Sequence, residues 1–305
     1  MCTAIFDKKH GPFFARTLDL ECSFGEKVMQ MAKGDTLGFF HEGELVCAHA
    51  IIGMAYDTGG QPLFYDAVND VGLCAAALNF PTYAEYCDKR DGALNLASFE
   101  VIPYVLARCA DIAEVRDVLG DAVITKDDFS QKLKSTPLHW MFADRTGSVV
   151  VEQDENGLRI YENYFGVMTN SPPFPYHTAR ICDYAYLSPK PQKNNILPNQ
   201  HIPSYSRGLG AYGLPGDYSS SSRFVRAVFV KEHTLLPPCE NDSLRSSAAQ
   251  RRMLDIIGTV SLPYGISRTD SGEPIYTVYT SCIDIEKCEY SYFTYANREI
   301  RSFKF

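Results

Sequence analysis

The sequence predicts an α+β fold in which mainly antiparallel sheets pack together with helices on the outside. Three observations point there. Short clusters of turn residues sit between apolar runs, the signature of β-hairpins. Helical patterns follow the hairpins, and strand patterns return at the end of the chain, as in layered α+β architectures. No internal repeat, low-complexity tract or linker interrupts the 305 residues, so residues 1–305 are expected to form one domain.

The elements justify this in order. Residues 3–6 read as a strand, 7–11 as a turn and 12–18 as the returning strand. Residues 46–56 are apolar and read as a buried strand or strand pair. Residues 63–68 and 73–78 flank the turn 69–72, and the hairpin ends at Asn79-Phe80-Pro81. Residues 98–110 look helical, with Pro103 either kinking the helix or marking its first turn. Asp111 and Glu114 have capping-box spacing before a second helix with Val115, Val118 and Leu119 on its apolar face. Residues 138–143 and 148–152 form a further hairpin about the turn 144–147, and 158–161 and 164–170 continue as strands. A helix is expected within 175–187, and long loops over 188–217, where Pro, Gly, Asn and Ser accumulate. Residues 219–222 open a helix carrying Phe224, Val225, Val228 and Phe229, and 244–258 form an amphipathic helix. Strands at 275–281 and 290–295 close the chain.

Composition narrows the function. A hydrophobic content of 45% with 22% charged residues is that of a soluble globular protein. The net charge of −8 argues against nucleic acid as a partner and against attraction to anionic membranes. The first twenty residues carry Asp7, Lys8, Lys9, Arg16 and Asp19, so they do not read as a signal peptide, and the expected location is the cytoplasm. None of the ten cysteines forms a CxxC, and no spacing suggests a metal or cofactor site, so none is expected. Most cysteines lie in apolar runs and read as buried reduced thiols.

Cys2 differs by position. Removal of Met1 would make it the N-terminus, with a thiol and an α-amine on one residue. Such an amine titrates near pH ~8 and can act as a base. The hairpin brings Arg16 and Asp19 beside it, and a nearby arginine favours thiolate. Asn79 and Asn170 each end a strand close to a proline. Arg223 sits in the first turn of a helix, where a cation is disfavoured, so it is expected to be paired or directed at an anion. Terminal thiol, neighbouring Arg and Asp, two strand-end asparagines and a second Arg together suit acyl transfer from an amide.

The segments MCTAIF (1–6), ARTLD (15–19), LNFP (78–81), PLHW (137–140), VVEQ (150–153), MTNSP (168–172) and GLPGDYSSSSRFVRA (213–227) resemble the choloylglycine hydrolase family. That family comprises conjugated bile acid hydrolases and penicillin V acylases, N-terminal nucleophile hydrolases with a four-layer αββα sandwich. The resemblance implies Cys2 as nucleophile, its amine as base and Asp19 as the group orienting that amine. It places Arg16 and Arg223 flanking the thiol, and Asn79 and Asn170 on the oxyanion side. Thr17, where many members have Asn, is expected to stay outside the chemistry. Asn79 resembles the bile-salt branch, since penicillin acylases tend to have an aromatic residue there. The implied substrate is a conjugated bile acid, held by apolar loops near Met54, Phe64 and 129–138. Alternatives are a penicillin V or other N-acyl amide acylase, or a bile acid acyltransferase, of the same fold. The segment 205–210 lies where relatives vary with glycine or taurine preference. A homotetramer is implied by the same resemblance.

Overall fold

The computed structural model describes residues 1–191, 196, 197 and 199–305. The chain opens with the hairpin β1 (Cys2–Asp7) and β2 (Phe13–Leu20), of which only Leu20 is not fully buried. Four further strands follow: β3 (Lys27–Met31), β4 (Thr36–Phe39), β5 (Gly43–Val46) and β6 (Ile51–Tyr56). The run 46–56 is therefore a buried strand only in its second half, and Val46 ends β5 exposed. The strands β7 (Leu63–Asn69) and β8 (Cys74–Asn79) form the expected hairpin. Asn69 Oδ1 closes its turn by accepting from the amides of Val71 and Leu73. Gly72 in that turn has φ +92°, and a Cβ there would meet the Ile285 carbonyl oxygen at 2.8 Å, so glycine is required.

After β9 (Leu94–Ala97) come α1 (Val101–Arg108) and α2 (Ile112–Leu119). Pro103 falls in the first turn of α1, where its missing amide has no intrahelical partner to lose. Asp111 caps α2 by accepting from the Glu114 amide, and Glu114 accepts in return from the Ala110 amide. Then follow β10 (Ala122–Thr125), β11 (Leu138–Ala143), β12 (Ser148–Asp154), β13 (Gly157–Glu162) and β14 (Val167–Met168). The expected strand at 164–170 shrinks to those last two residues. Gly166, at φ +60°, turns back onto Asn163, and the carbonyls of Thr169 and Asn170 bond to histidines instead of a strand. The segment Phe174–Arg180 is α3, continued by a 3₁₀ turn at Ile181–Tyr184. The expected loops at 188–217 contain a 3₁₀ turn at Arg207–Ala211, and their residues 192–195 and 198 lie outside the described ones. The chain ends with α4 (Ser220–His233), α5 (Asp242–Gly258), β15 (Ser267–Arg268), β16 (Pro274–Asp284), β17 (Glu289–Thr294) and β18 (Arg301–Phe303).

Among the described residues two seven-stranded antiparallel sheets dominate. The first runs β14-β1-β2-β16-β17-β18, with β15 also on β16, and the second β13-β12-β11-β8-β7-β6-β3. The helices α1 and α2 pack on the outer face of the second sheet around Trp140 and Phe142. On the other side α4 and α5 cover the first sheet around Ala15, Phe224 and Met253. The inner faces meet through Phe14, Met54, Leu78 and Met141. The layers are thus helix, sheet, sheet, helix, and the αββα expectation is met. Central strands covered on both faces read as continuous apolar runs rather than alternating ones. Cys2, Cys47, Cys74, Cys109 and Cys282 are buried as expected, whereas Cys22, Cys87 and Cys182 are exposed. Among the described residues no helix is long and apolar enough to cross a membrane.

Asp66 on β7 crosses the gap between the sheets. Its carboxylate is fully buried and accepts from Arg16 of β2, Tyr279 and Ser281 of β16 and Tyr290 of β17. Beside it in the second sheet, Gly53, opposite Ala67, lets β6 approach β7 closely; a Cβ there would meet the Asp66 carbonyl oxygen at 2.2 Å and the Ala67 Cβ at 2.4 Å. Gly53→Ala is therefore expected to lower the unfolding free energy by about 1–3 kcal/mol, read as a lower urea midpoint; an unchanged midpoint would contradict the close approach. Asp66→Ala leaves the Arg16 guanidinium buried without its carboxylate and is expected to cost about 3–5 kcal/mol in the same assay. A loss within the ~1 kcal/mol range of an exposed pair would contradict that reading.

Candidate active site

Strand pairing sorts the candidate residues onto two faces. Cys2 pairs with Leu18 and Ala4 with Arg16, so Cys2 and Arg16 share one face. Thr3, Thr17 and Asp19 share the other, where Thr277 of β16 lies opposite Asp19. The first face looks toward the second sheet and the second toward α4.

On the first face, Arg16 is fully buried and its four described contacts are all to neighbours fixed by the sheets. One terminal nitrogen donates to Asp66 at 3.2 Å and to Tyr279 Oη at 2.7 Å. The other donates to the Ala77 carbonyl at 3.1 Å and to Cys2 Sγ at 3.5 Å. Burial alone would lower the arginine's pKa, but Tyr279, the Cys2 thiol and Asp66 outweigh it and hold the guanidinium charged. Burial pushes Tyr279 well above the usual phenol range, so it stays a neutral donor to Asp66.

On the second face, Asp19 Oδ1 accepts from Thr277 Oγ1 at 2.7 Å and Oδ2 from Thr17 Oγ1 at 3.2 Å. Thr17, read from the sequence as uninvolved, thus touches Asp19. Burial raises the Asp19 pKa, against the opposing pull of Arg223, the chain's amino terminus and the two threonines. The amino group of Met1 donates to the Asp19 backbone carbonyl at 2.7 Å, not to its carboxylate. The Cys2 amide donates to Asn170 Oδ1 at 2.8 Å. The direct partner of this nitrogen is therefore Asn170 rather than Asp19.

Arg223, in the first turns of α4, is fully buried and is paired as expected, though not with an anion. It donates to the Cys2 carbonyl, to Thr3 Oγ1 at 2.6 Å, to Asn170 Oδ1 at 2.8 Å and to the Tyr218 carbonyl at 3.0 Å. Burial lowers its pKa, partly offset by Asp19. It grips the Cys2 backbone from the face opposite the thiol, so only Arg16 of the two arginines touches sulfur.

Asn170 Nδ2 donates to the Asn79 carbonyl at 2.8 Å, tying the two strand ends together. The Asn79 side chain makes no hydrogen bond to the described residues and lines a cavity of about 430 Å³ that reaches Cys2 and Arg16. The walls of that cavity are mostly apolar, with Phe64, Phe99, Ile102, Phe129, Leu133 and Trp140 among them. Phe64 and the 129–138 segment line it as expected. Met54 does not: it is buried between the sheets. None of the described lining residues comes from 205–210. Among the described residues no cluster of His, Cys, Asp or Glu is placed to hold a metal ion.

The structure brings all six sequence candidates together. It adds Asp66, Tyr279 and Thr277, which sequence reasoning missed. Only Asp66 left a signal, as a charge in the middle of the apolar strand Leu63-Phe64-Tyr65-Asp66-Ala67-Val68.

Comparison with known proteins places the chain in a family. The family model for linear amide C–N hydrolases, choloylglycine hydrolase family, matches residues 2–305. The bile salt hydrolase/transferase of Lactiplantibacillus plantarum is 38% identical over 302 residues, which cover 99% of this chain and 91% of that one. The bile salt hydrolase/transferase of Clostridium perfringens is 33% identical over 307 residues, covering 99% and 92%. A crystal structure of a conjugated bile acid hydrolase variant from Clostridium perfringens matches with a TM-score of 0.90 at 31% identity, covering 100% and 92%. Penicillin V acylase from Agrobacterium tumefaciens shares the fold, with a TM-score of 0.76 at 21% identity, covering 100% and 86%. The architecture is that of the N-terminal nucleophile hydrolases, and the chain belongs to the choloylglycine hydrolase family of linear amide C–N hydrolases.

Proposed function

We propose that this protein hydrolyses the amide bond of glycine- or taurine-conjugated bile acids through a thioester on Cys2, as one domain from which Met1 has been removed. The observation that carries this reading is the cavity: a broad apolar space of about 430 Å³ with a thiol, a guanidinium and a free amide at one end. A steroid needs apolar walls on both faces, and its amide needs polar groups at a single point.

In this scheme the Cys2 α-amine, released by loss of Met1, takes the thiol proton. The thiolate, beside Arg16, attacks the amide carbonyl carbon. Charge builds on the carbonyl oxygen, where the Asn79 amide, without a partner among the described residues, is the available donor; one such donor is worth about 2.7–4 kcal/mol of barrier. Asn170 holds the amine through Oδ1, with Arg223 bonded to the same oxygen. Asp19 acts on the amine through the field on the α4 side. The amine then protonates the leaving nitrogen, the C–N bond breaks and glycine or taurine departs. Water attacks the thioester, the amine takes its proton and returns it to sulfur, and the free bile acid leaves.

The names of the relatives and the pattern at Asn79 support a bile acid conjugate over penicillin V. Family resemblance supports a homotetramer. An amine replacing water in the last step would give acyl transfer from the same thioester.

Cys2→Ala is expected to abolish release of glycine from glycocholate and of taurine from taurocholate, measured by amine detection. Undiminished release would end the proposal. Measured side by side, kcat/KM for glycocholate should exceed that for penicillin V, and the reverse order would reassign the substrate.

A further inference from the structure

His139 and Glu152 take no part in the scheme above, yet the motifs PLHW and VVEQ that carry them meet the two asparagine-bearing strand ends. Both side chains are buried. His139 Nε2 lies 2.8 Å from the Thr169 carbonyl oxygen. A carbonyl oxygen only accepts, so Nε2 carries a proton. His139 Nδ1 lies 2.9 Å from Glu152 Oε1. Two unprotonated lone pairs would repel at that distance, so a second proton lies between ring and carboxyl. Both Glu152 oxygens also accept from the Phe174 amide, each at 3.1 Å, which is the behaviour of a carboxylate. Placed on Nδ1, the second proton makes the ring an imidazolium facing a carboxylate. That ring stacks on Phe80 at 4.6 Å and 7°, and an aromatic face favours a cation.

The contacts fall on both asparagine segments. Phe80 follows Asn79, and Thr169 precedes Asn170, whose side chain bonds to the Asn79 carbonyl. Among the described residues His177 of α3 also faces the pair, and it donates to the Asn170 carbonyl at 2.8 Å. Burial, together with the His139 charge, holds the His177 pKa below the usual histidine range.

We propose that His139, held as an imidazolium by Glu152, is a positioning residue that sets the spacing between Asn79 and Asn170. This rests on the amide hydrolase reading above. The test combines kinetics of His139→Gln and Glu152→Gln on glycocholate, using protein lacking Met1, with ¹⁵N NMR of the histidine rings near pH 7. His139→Gln should lower kcat about 10²-fold with KM little changed, because a displaced donor matters most in the transition state. Wild-type His139 should show both ring nitrogens protonated. Glu152→Gln should leave only Nε2 protonated, since glutamine can donate to Nδ1 and keep the Thr169 bond. The resonance is assigned by its loss in the first variant or its shift in the second. Wild-type kcat in His139→Gln, or a singly protonated His139 in the wild type, would overturn the proposal. The spectrum needs no substrate. A wild type that ignores bile acid conjugates therefore defeats the substrate reading, while the spectrum still decides this one.

Discussion

A guanidinium buried between two sheets is the constraint on which the rest of this structure depends. Arg16 is cut off from water, and an uncompensated charge there would cost several kcal/mol. Asp66 compensates it from the opposite sheet, and Asp66 in turn needs the hydroxyls of Tyr279, Ser281 and Tyr290 for its remaining lone pairs. Each of those partners is on a strand whose register is set by pairing with its neighbour. The polar cluster therefore locks the first sheet over the second. It also leaves one terminal nitrogen of Arg16 with fixed direction, pointing at the Ala77 carbonyl and Cys2 Sγ.

The alternation of a β-strand then divides the labour. Residues on one face of β1 and β2 hold the sulfur, and residues on the other face hold the backbone that carries it. Arg223, which also donates to the Thr3 hydroxyl, and Asn170 grip the Cys2 carbonyl and nitrogen from the α4 side. Cys2 is thus fixed from two directions by groups that do not compete for the same atoms. The cavity opens past Asn79, so an acyl group can approach the thiol without disturbing either set.

Much of this was legible in the amino acids, for identifiable reasons. Hairpins with turn residues of their own, such as 63–79 and 138–154, could be read locally. The strand at 164–170 could not, because Thr169 and Asn170 leave the sheet to bond with His139 and His177, which lie in other elements. Met54 was misplaced because apolarity does not say which face of a strand a side chain occupies, and it packs between the sheets rather than against the cavity. Cys2 stood out by position, and the other five site residues through motifs resembling a family. Asp66 stayed hidden because its partners Tyr279, Ser281 and Tyr290 lie 213, 215 and 224 residues away in sequence. The contact of the Cys2 backbone nitrogen with Asn170 stayed hidden for the same reason, since it is a hydrogen bond across 168 residues.

The central claim is that the sulfur of Cys2, on a chain freed of Met1, carries the acyl group during turnover. The most direct measurement is the intact mass of the protein quenched in acid while it turns over glycocholate, with peptide mapping of any adduct. The account predicts a chain lacking Met1 that bears one cholyl group, in thioester linkage on Cys2. Turnover by a chain that retains Met1, or an acyl group mapped to any other residue, would contradict it.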